Sequence, residues 1–294
     1  MARVLVTGAS GLLGGRLAQL LAASHEVVAM RHRAPVPEGL RHVEADILDA
    51  ASVERALAVA DADVVIHAAA EADADRCQAD PDRAQRYNVD ASVTLARLCR
   101  RHSARLLALS TDLVVPGDRA MTPEDATVGP PLLVYGRTKL EAEEAILAEA
   151  PDAAVLRVAL VLGRGFGPRT TASEGILAAL ATGRRLRLYT DQFRTPVDPE
   201  SVADAIDRLI ARSASGRFHL AGPERLSRYE LGLRVARVLG LPADGIDAVT
   251  QTGQPAGAPR PAEASLDTSR ARREIGWSPR ALDAAIGESR HANV

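Results

Sequence analysis

Short apolar runs alternate with longer amphipathic segments along the first half of the chain. The runs are rich in β-branched residues, and several are apolar on consecutive residues, which is typical of strands covered on both sides of a parallel sheet. The predicted strands are Val4 to Val6, Glu26 to Ala29, His42 to Ala45, Val64 to Ile66, Leu106 to Leu109 and Val155 to Val161. The predicted helices between them are Leu12 to Ala23, Ser52 to Ala60, Pro81 to Arg101 and Val134 to Glu149. This alternation predicts an α/β fold with a doubly wound parallel sheet.

The regular alternation ends after Gly163. Further helices are predicted up to about Ala181, from Pro199 to Ala211 and from Ser227 to Leu239, and the run Arg217 to Leu220 is expected to return to the sheet. The stretch Pro242 to Pro261 is rich in Pro, Gly and Ala. We therefore expect a first domain at residues 1–162, completed by residues 195–220, and a smaller C-terminal lobe formed mainly by residues 163–294.

The composition excludes several classes of protein. There are 36 basic and 38 acidic residues, a formal net charge of -2, which gives no electrostatic footprint for nucleic acid or an anionic membrane surface. Cys77 and Cys99 are the only cysteines and have no CxxC spacing, so neither a disulfide framework nor a zinc site is indicated. No metal site is predicted. A reducing cytoplasm fits best, and no apolar stretch is long enough to predict a membrane span.

A glycine-rich loop, Thr7 to Gly14, directly follows the first predicted strand and opens the first predicted helix. Its glycines have the spacing GxxGxxG. Such a turn needs positive backbone angles, lets the backbone approach a pyrophosphate closely, and ends at a helix N-terminus that attracts phosphate. Strand, turn and helix in this order predict a dinucleotide site in the first domain.

The end of the second strand suggests which dinucleotide is bound. Folds that prefer NAD place an acid there for the ribose 2′-hydroxyl, whereas this chain has Arg31, His32 and Arg33. Guanidinium groups would neutralise a 2′-phosphate. The residues therefore favour NADP(H) over NAD(H), although a solvated basic loop is the plain alternative.

Two further segments follow strands at the edge where an open α/β sheet binds ligand. Asp46 could accept a hydrogen bond from the adenine amino group or simply cap a helix. Ala68, Ala69 and Ala70 are small enough for a dinucleotide to lie against the backbone. The predicted cofactor site consists of Gly8, Ser10, Gly11, Leu12, Leu13, Gly14, Arg31, His32, Arg33, Asp46, Ile47, Ala68, Ala69, Ala70, Ser110, Tyr135 and Lys139.

Lys139 is the only lysine of the chain, and it stands four residues after Tyr135, one helical turn along the same face. A phenol has a pKa near 10 and is a poor acid or base at neutral pH unless a neighbouring cation lowers that pKa. Ser110 and Thr111 end the fifth strand at the same edge of the sheet. A hydroxyl there can hold a carbonyl while the tyrosine transfers its proton, as hydride transfer at a carbonyl requires.

Together these motifs resemble the extended short-chain dehydrogenase/reductase family over nearly the whole chain. The loop Thr7 to Gly14 is similar to its TGxxGxxG motif, Asp46-Ile47 to its adenine-binding pair, and Tyr135 with Lys139 to its YxxxK pair. Within the family, the dTDP-4-dehydrorhamnose reductases are most similar. The segments that carry this likeness are Ser110-Thr111-Asp112, Val134 to Leu140, Asp191-Gln192-Phe193, Arg260-Pro261 and Leu266-Asp267-Thr268.

The resemblance implies an NADPH-dependent reductase of a carbonyl on a nucleotide-linked sugar. Tyr135 would donate the proton, Lys139 would lower the pKa of the phenol and bind the nicotinamide ribose, and Thr111 would orient the carbonyl. Asp112 would contact the sugar, and Arg260 is a candidate for the substrate pyrophosphate. The resemblance also implies a homodimer formed through the long helices.

The likeness breaks at two substrate positions. Leu113 and Leu160 stand where those reductases have a tyrosine and a tryptophan, so a less polar carbonyl substrate stays open. The same leucine follows Thr111-Asp112 where sugar-nucleotide dehydratases have a glutamate, which disfavours dehydration. A sugar-nucleotide epimerase remains an alternative. So does a non-catalytic NADP-binding regulatory subunit similar to that of methionine adenosyltransferase, although the intact Thr111, Tyr135 and Lys139 favour an enzyme.

Overall fold

The computed structural model describes residues 1–126, 129–252 and 258–291. Its centre is a seven-stranded parallel sheet with strand order β3-β2-β1-β4-β5-β6-β9. The strands are β1 Arg3–Thr7, β2 Glu26–Arg31, β3 Arg41–Glu44, β4 Val64–His67, β5 Arg105–Thr111, β6 Ala154–Val158, β7 Leu186–Tyr189, β8 Phe193–Arg194, β9 Gly216–Leu220, β10 Leu226–Ser227 and β11 Ile246–Val249. The predicted α/β fold with a doubly wound, Rossmann-like sheet is confirmed.

Helices cover both faces of this sheet. They are α1 Leu12–Leu21, α2 Ala50–Ala60, α3 Ala74–Ala79, α4 Pro81–Gln85, α5 Ala91–Arg101, α6 Val134–Glu149, α7 Ala172–Ala181, α8 Pro199–Arg212, α9 Arg228–Leu239, α10 Ser269–Ile275 and α11 Leu282–Gly287. One apolar core includes side chains of α1 and α8, and another includes side chains of α2 and α5. The inner strands β1, β4, β5 and β6 are buried on both faces, which explains why their sequences are apolar on consecutive residues, whereas the edge strand β3 is mostly exposed.

Two of the predicted elements differ clearly from the observed ones. The helix predicted from Pro81 to Arg101 contains a π-helical turn at Arg86–Asp90, which separates α4 from α5. The last predicted strand ends at Val158 instead of Val161, because the following backbone leaves the ladder: Val161 forms an isolated bridge with Val197. Hydrophobic pattern alone does not distinguish such local departures.

The C-terminal elements form a separate core beside the carboxyl end of the sheet. Side chains of α7, β7, α9, β11 and α11 pack together there, with Leu180, Leu188, Val235 and Ile246 among them. Strand β11 pairs with β7, inside a stretch for which no strand was predicted. Strand β9 instead completes the central sheet beside β6, as the run Arg217 to Leu220 indicated. The fold thus places a second, smaller core next to the edge that the sequence motifs occupy.

Candidate functional site

The glycine-rich loop forms a tight turn between β1 and α1. Gly8 has a φ of +67°, and its carbonyl accepts a hydrogen bond of 2.9 Å from the N–H of Gly11. A Cβ on Gly14 would lie 2.4 Å from the Gly8 oxygen, and one on Gly8 would lie 2.6 Å from the backbone nitrogen of Ala69. Only glycine allows this approach, which leaves the N-terminal N–H groups of α1 open to an anion.

A first cavity, of about 350 Å³, lies on one side of this loop. The ends of β2, β3 and β4 form its walls. Predicted cofactor residues that line it are Gly8, Ser10, Gly11, Leu12, Arg31, His32, Asp46, Ile47, Ala68, Ala69 and Ala70. Arg33 is exposed and is not among the lining residues, so the structure does not bring it into the cavity with the other two basic residues.

The basic residues at this cavity have acidic neighbours that the sequence did not reveal. Arg31 pairs with Glu44 of the adjacent strand β3, and its buried Nε has no hydrogen-bond partner among the described residues. Asp46 accepts a 3.0 Å hydrogen bond from the N–H of Leu48, whereas the cap of α2 is Asp49. The carboxylate of Asp46 therefore fixes a turn in the cavity wall and is not the helix cap.

A second cavity, of about 410 Å³, lies on the other side of the glycine loop and contains the predicted catalytic residues. Ser110 and Thr111 come from the end of β5, and Tyr135 and Lys139 from the first turns of α6. Gly136 permits this convergence. A Cβ there would lie 2.2 Å from the carbonyl oxygen of Leu113, so α6 approaches the end of β5 only with glycine at this position.

The electrostatic state of Tyr135 differs from the sequence-based expectation. Burial raises the pKa of the phenol above its usual value, the nearby Asp112 carboxylate raises it further, and the Thr111 hydroxyl acts in the opposite direction. The expected lowering of this pKa by Lys139 is not found, because burial of the phenol, first, and the nearby Asp112, second, both act in the opposite direction. The sequence could show neither. Tyr135 is therefore protonated at neutral pH, which is the state that a proton donor needs.

Lys139 is buried, and burial lowers the pKa of its ammonium group to about 8, while Glu143 one turn further along α6 raises it. Glu143 is itself buried and binds the Arg157 guanidinium with Nε distances of 3.0 Å to both carboxylate oxygens. It also accepts hydrogen bonds from Ser110 and Arg217. This network fixes the end of β5 against α6, and sequence reasoning missed it because its members lie on three strands and one helix.

A buried histidine connects the glycine loop to the helix behind it. Nδ1 of His67 lies 2.8 Å from the Thr7 hydroxyl oxygen, and Nε2 lies 2.9 Å from the Ser92 hydroxyl oxygen. Ser92 donates its proton to the carbonyl of Asn88. His67 Nε2 must therefore be the donor to Ser92, and Nδ1 accepts from Thr7. Burial first, and then Lys139, lower the pKa of His67 to about 3, so the ring is neutral.

A third cavity, of about 660 Å³, adjoins the second one at Asp112, Leu113 and Leu160 and extends to the C-terminal core. Arginines from several elements line it: Arg187, Arg194, Arg228 and Arg260. Arg194 lies 3.8 Å from the Asp112 carboxylate, and its Nη1 is buried without a hydrogen-bond partner among the described residues. Burial, followed by Arg194, lowers the pKa of Arg228 to about 10. The arrangement is suited to bind an anion.

Only one of these arginines was singled out from the sequence. Arg260 does line the cavity, where it binds the Asp75 carboxylate at 3.2 Å and the carbonyl of Ala258 at 2.9 Å. Arg194 directly follows the Asp191-Gln192-Phe193 segment, so its position next to that motif could have indicated from the sequence that it belongs to the site. No signal marked Arg228, which is one of many arginines at the start of helices or in loops.

No group of three or more His, Cys, Asp or Glu side chains in residues 1–126, 129–252 and 258–291 could hold a metal ion. No helix in these ranges is both long enough and apolar enough to cross a membrane.

Known proteins are similar to this chain over nearly its whole length. Residues 2–292 match the family described as RmlD substrate binding domain. The probable low-salt glycan biosynthesis reductase Agl14 of Haloferax volcanii is 31% identical over 95% of this chain and 94% of its own length. The dTDP-4-dehydrorhamnose reductase of Mycobacterium tuberculosis is 33% identical over 90% of this chain and 85% of its own length. The methionine adenosyltransferase 2 subunit beta of Bos taurus is 31% identical over 91% of this chain and 81% of its own length.

Solved structures show the same fold. A hypothetical dTDP-4-dehydrorhamnose reductase from Sulfolobus tokodaii superposes with a TM-score of 0.83 at 28% identity, covering 95% of this chain and 97% of that one. The dTDP-4-dehydrorhamnose reductase of Bacillus anthracis, solved in complex with NADP, has a TM-score of 0.86 at 19% identity and covers 97% of each chain. The match over residues 2–292, with relatives above 30% identity, identifies this chain as a member of the RmlD substrate binding domain family.

Proposed function

We propose that the protein is an NADPH-dependent reductase of a carbonyl on a nucleotide-linked sugar, similar to dTDP-4-dehydrorhamnose reductase. One observation carries the proposal: Thr111, Tyr135 and Lys139 line a single cavity that also borders the glycine loop. A proton donor and a dinucleotide-binding loop thus meet at one site, as reduction of a carbonyl requires. The relatives named reductases, at 31–33% identity over nearly the whole chain, support the same activity.

The two cavities beside the glycine loop fit the two halves of NADP(H). Gly8 and Gly14 form a cradle that a Cβ would fill, which suits the close approach of a pyrophosphate. In this proposal the first cavity holds the adenosine half, with Arg31 and His32 facing the 2′-phosphate. The second cavity holds the nicotinamide half near Tyr135 and Lys139. NADPH, when bound there, supplies the hydride.

The residues of the second cavity then control the proton. Tyr135 is protonated at neutral pH and donates its proton to the carbonyl oxygen as that oxygen gains negative charge. The Thr111 hydroxyl donates to Asp112 at 3.2 Å in the structure. In this proposal it turns and donates to the substrate carbonyl oxygen instead, which orients the carbonyl group. The Lys139 ammonium group binds a ribose hydroxyl and stabilises the phenolate that remains after proton transfer.

The third cavity is proposed as the site of the nucleotide-linked sugar, with the C-terminal core, mainly residues 163–294, as its lobe. Arg194 and Arg228 join the sequence-predicted Arg260 as ligands of the diphosphate, since each lines this cavity. Leu113 and Leu160 stand at the junction with the nicotinamide cavity, where they give the reacting end of the substrate an apolar wall. A sugar without a polar group at that end, or a non-sugar carbonyl compound, fits this wall best.

A screen of NADPH with nucleotide-linked keto sugars tests the proposal. We expect oxidation of NADPH by the wild-type protein with at least one member of the panel. Tyr135→Phe is expected to bind NADPH normally but to lose turnover, because only the proton donor is removed. Unchanged turnover in this variant would show that the proposed chemistry is wrong.

An epimerase that keeps its dinucleotide bound through the cycle is the alternative within the same chemistry. It would interconvert two nucleotide sugars without net consumption of NADPH. Product analysis by chromatography after incubation with a catalytic amount of NADP⁺ separates the two reactions, because a reductase needs stoichiometric NADPH.

A second candidate function is a non-catalytic regulatory subunit. It is favoured by the likeness to methionine adenosyltransferase 2 subunit beta, which is as close as the likeness to the glycan biosynthesis reductase, at 31% identity. The intact set of Thr111, Tyr135 and Lys139 argues for catalysis. Absence of NADPH oxidation across the whole panel, together with tight binding to a methionine adenosyltransferase catalytic subunit, would support the regulatory function instead.

Homodimer formation and a cytoplasmic location remain predictions.

A further inference from the structure

The loop at residues 163–170, between β6 and α7, is attached to the helix that follows the glycine-rich loop. The N–H of Phe166 donates to the carbonyl of Leu12, the first residue of α1, at 3.0 Å. The Phe166 ring lies against Gly15, where a Cβ would come within 2.2 Å of a ring carbon. The position of this loop is therefore set by α1 and by the absence of a side chain at Gly15.

The same loop is also held from its other end. The N–H of Gly165 donates to the Glu174 carboxylate at 3.1 Å, and Glu174 accepts from the Thr171 N–H at 2.8 Å in the capping box of α7. The loop is thus fixed both at α1 and at α7. Residues on it are held in a defined place relative to the glycine loop.

Arg169 on this loop borders both cofactor cavities. The residues shared by the two cavities are Gly8, Gly11, Leu12, Ala68, Ala70 and Arg169. In a site built on GxxGxxG, the junction between the adenosine half and the nicotinamide half is where the pyrophosphate lies. The glycine loop offers this group N–H donors and a helix dipole, but no full positive charge. The Arg169 side chain is exposed and carries the missing charge to the same place.

We propose that Arg169 binds the pyrophosphate bridge of the dinucleotide and so completes the cofactor site. The inference rests on the proposed dinucleotide function. Through Arg169, the loop at residues 163–170 would contribute to binding of both NADPH and NADH. Arg31 and His32, which face the 2′-phosphate in the proposed function, would contribute to binding of NADPH only. A planar guanidinium group is suited to bind two phosphate oxygens at once.

The test is calorimetric titration of Arg169→Gln with NADPH, NADH and adenosine 2′-monophosphate (2′-AMP), which carries the 2′-phosphate but neither phosphate of the pyrophosphate. The dissociation constants of both dinucleotides are expected to rise about tenfold, as loss of a hydrogen bond between charged groups predicts. The constant for 2′-AMP is expected to change less than about twofold, within the range of a weak surface interaction. Arg164→Gln is the matched control, since Arg164 lies on the same loop but lines a neighbouring cleft and neither cofactor cavity.

Two results would overturn the assignment. Unchanged binding of both dinucleotides to Arg169→Gln would exclude a pyrophosphate contact. Weaker binding of NADPH and 2′-AMP with unchanged NADH would place Arg169 at the 2′-phosphate instead. If the wild-type protein bound neither dinucleotide, the proposed function itself would fail, a result that is distinct from both.

Discussion

Arg31, the last residue of β2, pairs with Glu44, the residue directly opposite it on β3. The guanidinium group borders the adenosine cavity, while the Glu44 side chain is largely exposed. The second strand thus has no acid of its own for a ribose hydroxyl, but the neighbouring strand brings one next to the arginine. In the proposed cofactor site, we therefore expect the preference between NADPH and NADH to depend on the competition between Glu44 and a 2′-phosphate for Arg31.

Removal of this competing acid is expected to increase the preference for NADPH. In Glu44→Gln the ratio of the NADH to the NADPH dissociation constant should rise about two- to fivefold, the range of an exposed ion pair. Arg31→Ala should lower the same ratio, because the positive charge near the 2′-phosphate is lost. Titration of both reduced cofactors measures this. A lower preference for NADPH in Glu44→Gln would contradict the role given to Arg31.

The pH dependence of turnover is expected to report on Lys139. Burial lowers the pKa of this ammonium group to about 8, so the group is charged below that pH and loses its proton as pH rises through it. We therefore expect kcat/KM to fall above about pH 8, since the neutral amine no longer stabilises the phenolate. A flat profile up to pH 10 would exclude this role.

Lys139→Arg is the companion variant, and it is expected to lose most activity at every pH. Arginine keeps the charge, but its broad planar fork does not fit a buried position that a compact ammonium group occupies. Near-normal turnover in this variant would mean that the only lysine of the chain stands at this position by chance.

Gly136→Ala is expected to disrupt the site by separating its two halves. The new Cβ would lie 2.2 Å from the carbonyl oxygen of Leu113, so α6 must move away from the end of β5 and carry Tyr135 with it. We expect loss of turnover and a decrease in the free energy of unfolding of about 1–3 kcal/mol, as for other overpacked sites. Urea denaturation and NADPH oxidation measure the two effects.

The control for this variant is Gly175→Ala, in the middle region of α7, where the nearest atom to a new Cβ is the Thr170 hydroxyl oxygen at 3.4 Å. This change should leave turnover intact and raise the free energy of unfolding by up to about 1 kcal/mol, the difference in helix propensity. Equal behaviour of the two variants would contradict the steric explanation.

Two buried histidines are expected to make the fold sensitive to acid. Burial lowers the pKa of both His67 and His219 to about 3, with Lys139 and Arg157 as the respective second causes. The unfolded chain takes up a proton on each ring near pH 6.5 and the folded chain does not, so the free energy of unfolding falls as pH falls below that value. Each histidine is expected to contribute a loss of about 2 kcal/mol between pH 7 and pH 5.

Urea denaturation of His67→Gln and His32→Gln at pH 7 and pH 5 checks this prediction. His67→Gln should lose stability at pH 7 but show the smaller difference between the two pH values. His32→Gln is the control, because its ring is exposed. An unchanged difference in His67→Gln would mean that His67 is protonated in the folded protein.

The residues that could be predicted from the sequence are those whose chemistry is local in the chain. The glycine spacing after β1 and the helical spacing of Tyr135 and Lys139 lie within single segments, and both are found in the cofactor cavities. Whole strands could be predicted because burial on both faces leaves consecutive apolar residues. The alternation of elements predicts a doubly wound sheet but not the order of its strands, because such sheets occur with more than one order.

The features that could not be predicted depend on which residues from distant segments come together. The contact between Arg31 and Glu44 requires the register of two strands, and the contact between Glu143 and Arg157 requires the packing of α6 against β6. The burial of Tyr135 and the approach of Asp112, which together raise the pKa of the phenol, are likewise tertiary effects. An arginine-rich sequence adds to the difficulty, because no signal in the sequence separates Arg228 from arginines on the surface.

The most direct test of the proposed reductase is transfer of deuterium from NADPH deuterated at both C4 positions of the nicotinamide to a nucleotide-linked keto sugar, followed by mass spectrometry of the product. The wild-type protein is predicted to place one deuterium on the carbon that bore the carbonyl. Tyr135→Phe should bind the cofactor with unchanged affinity but give no labelled product. Labelled product from Tyr135→Phe at the wild-type rate, or none from the wild-type protein with any keto sugar of the panel, would contradict the proposal.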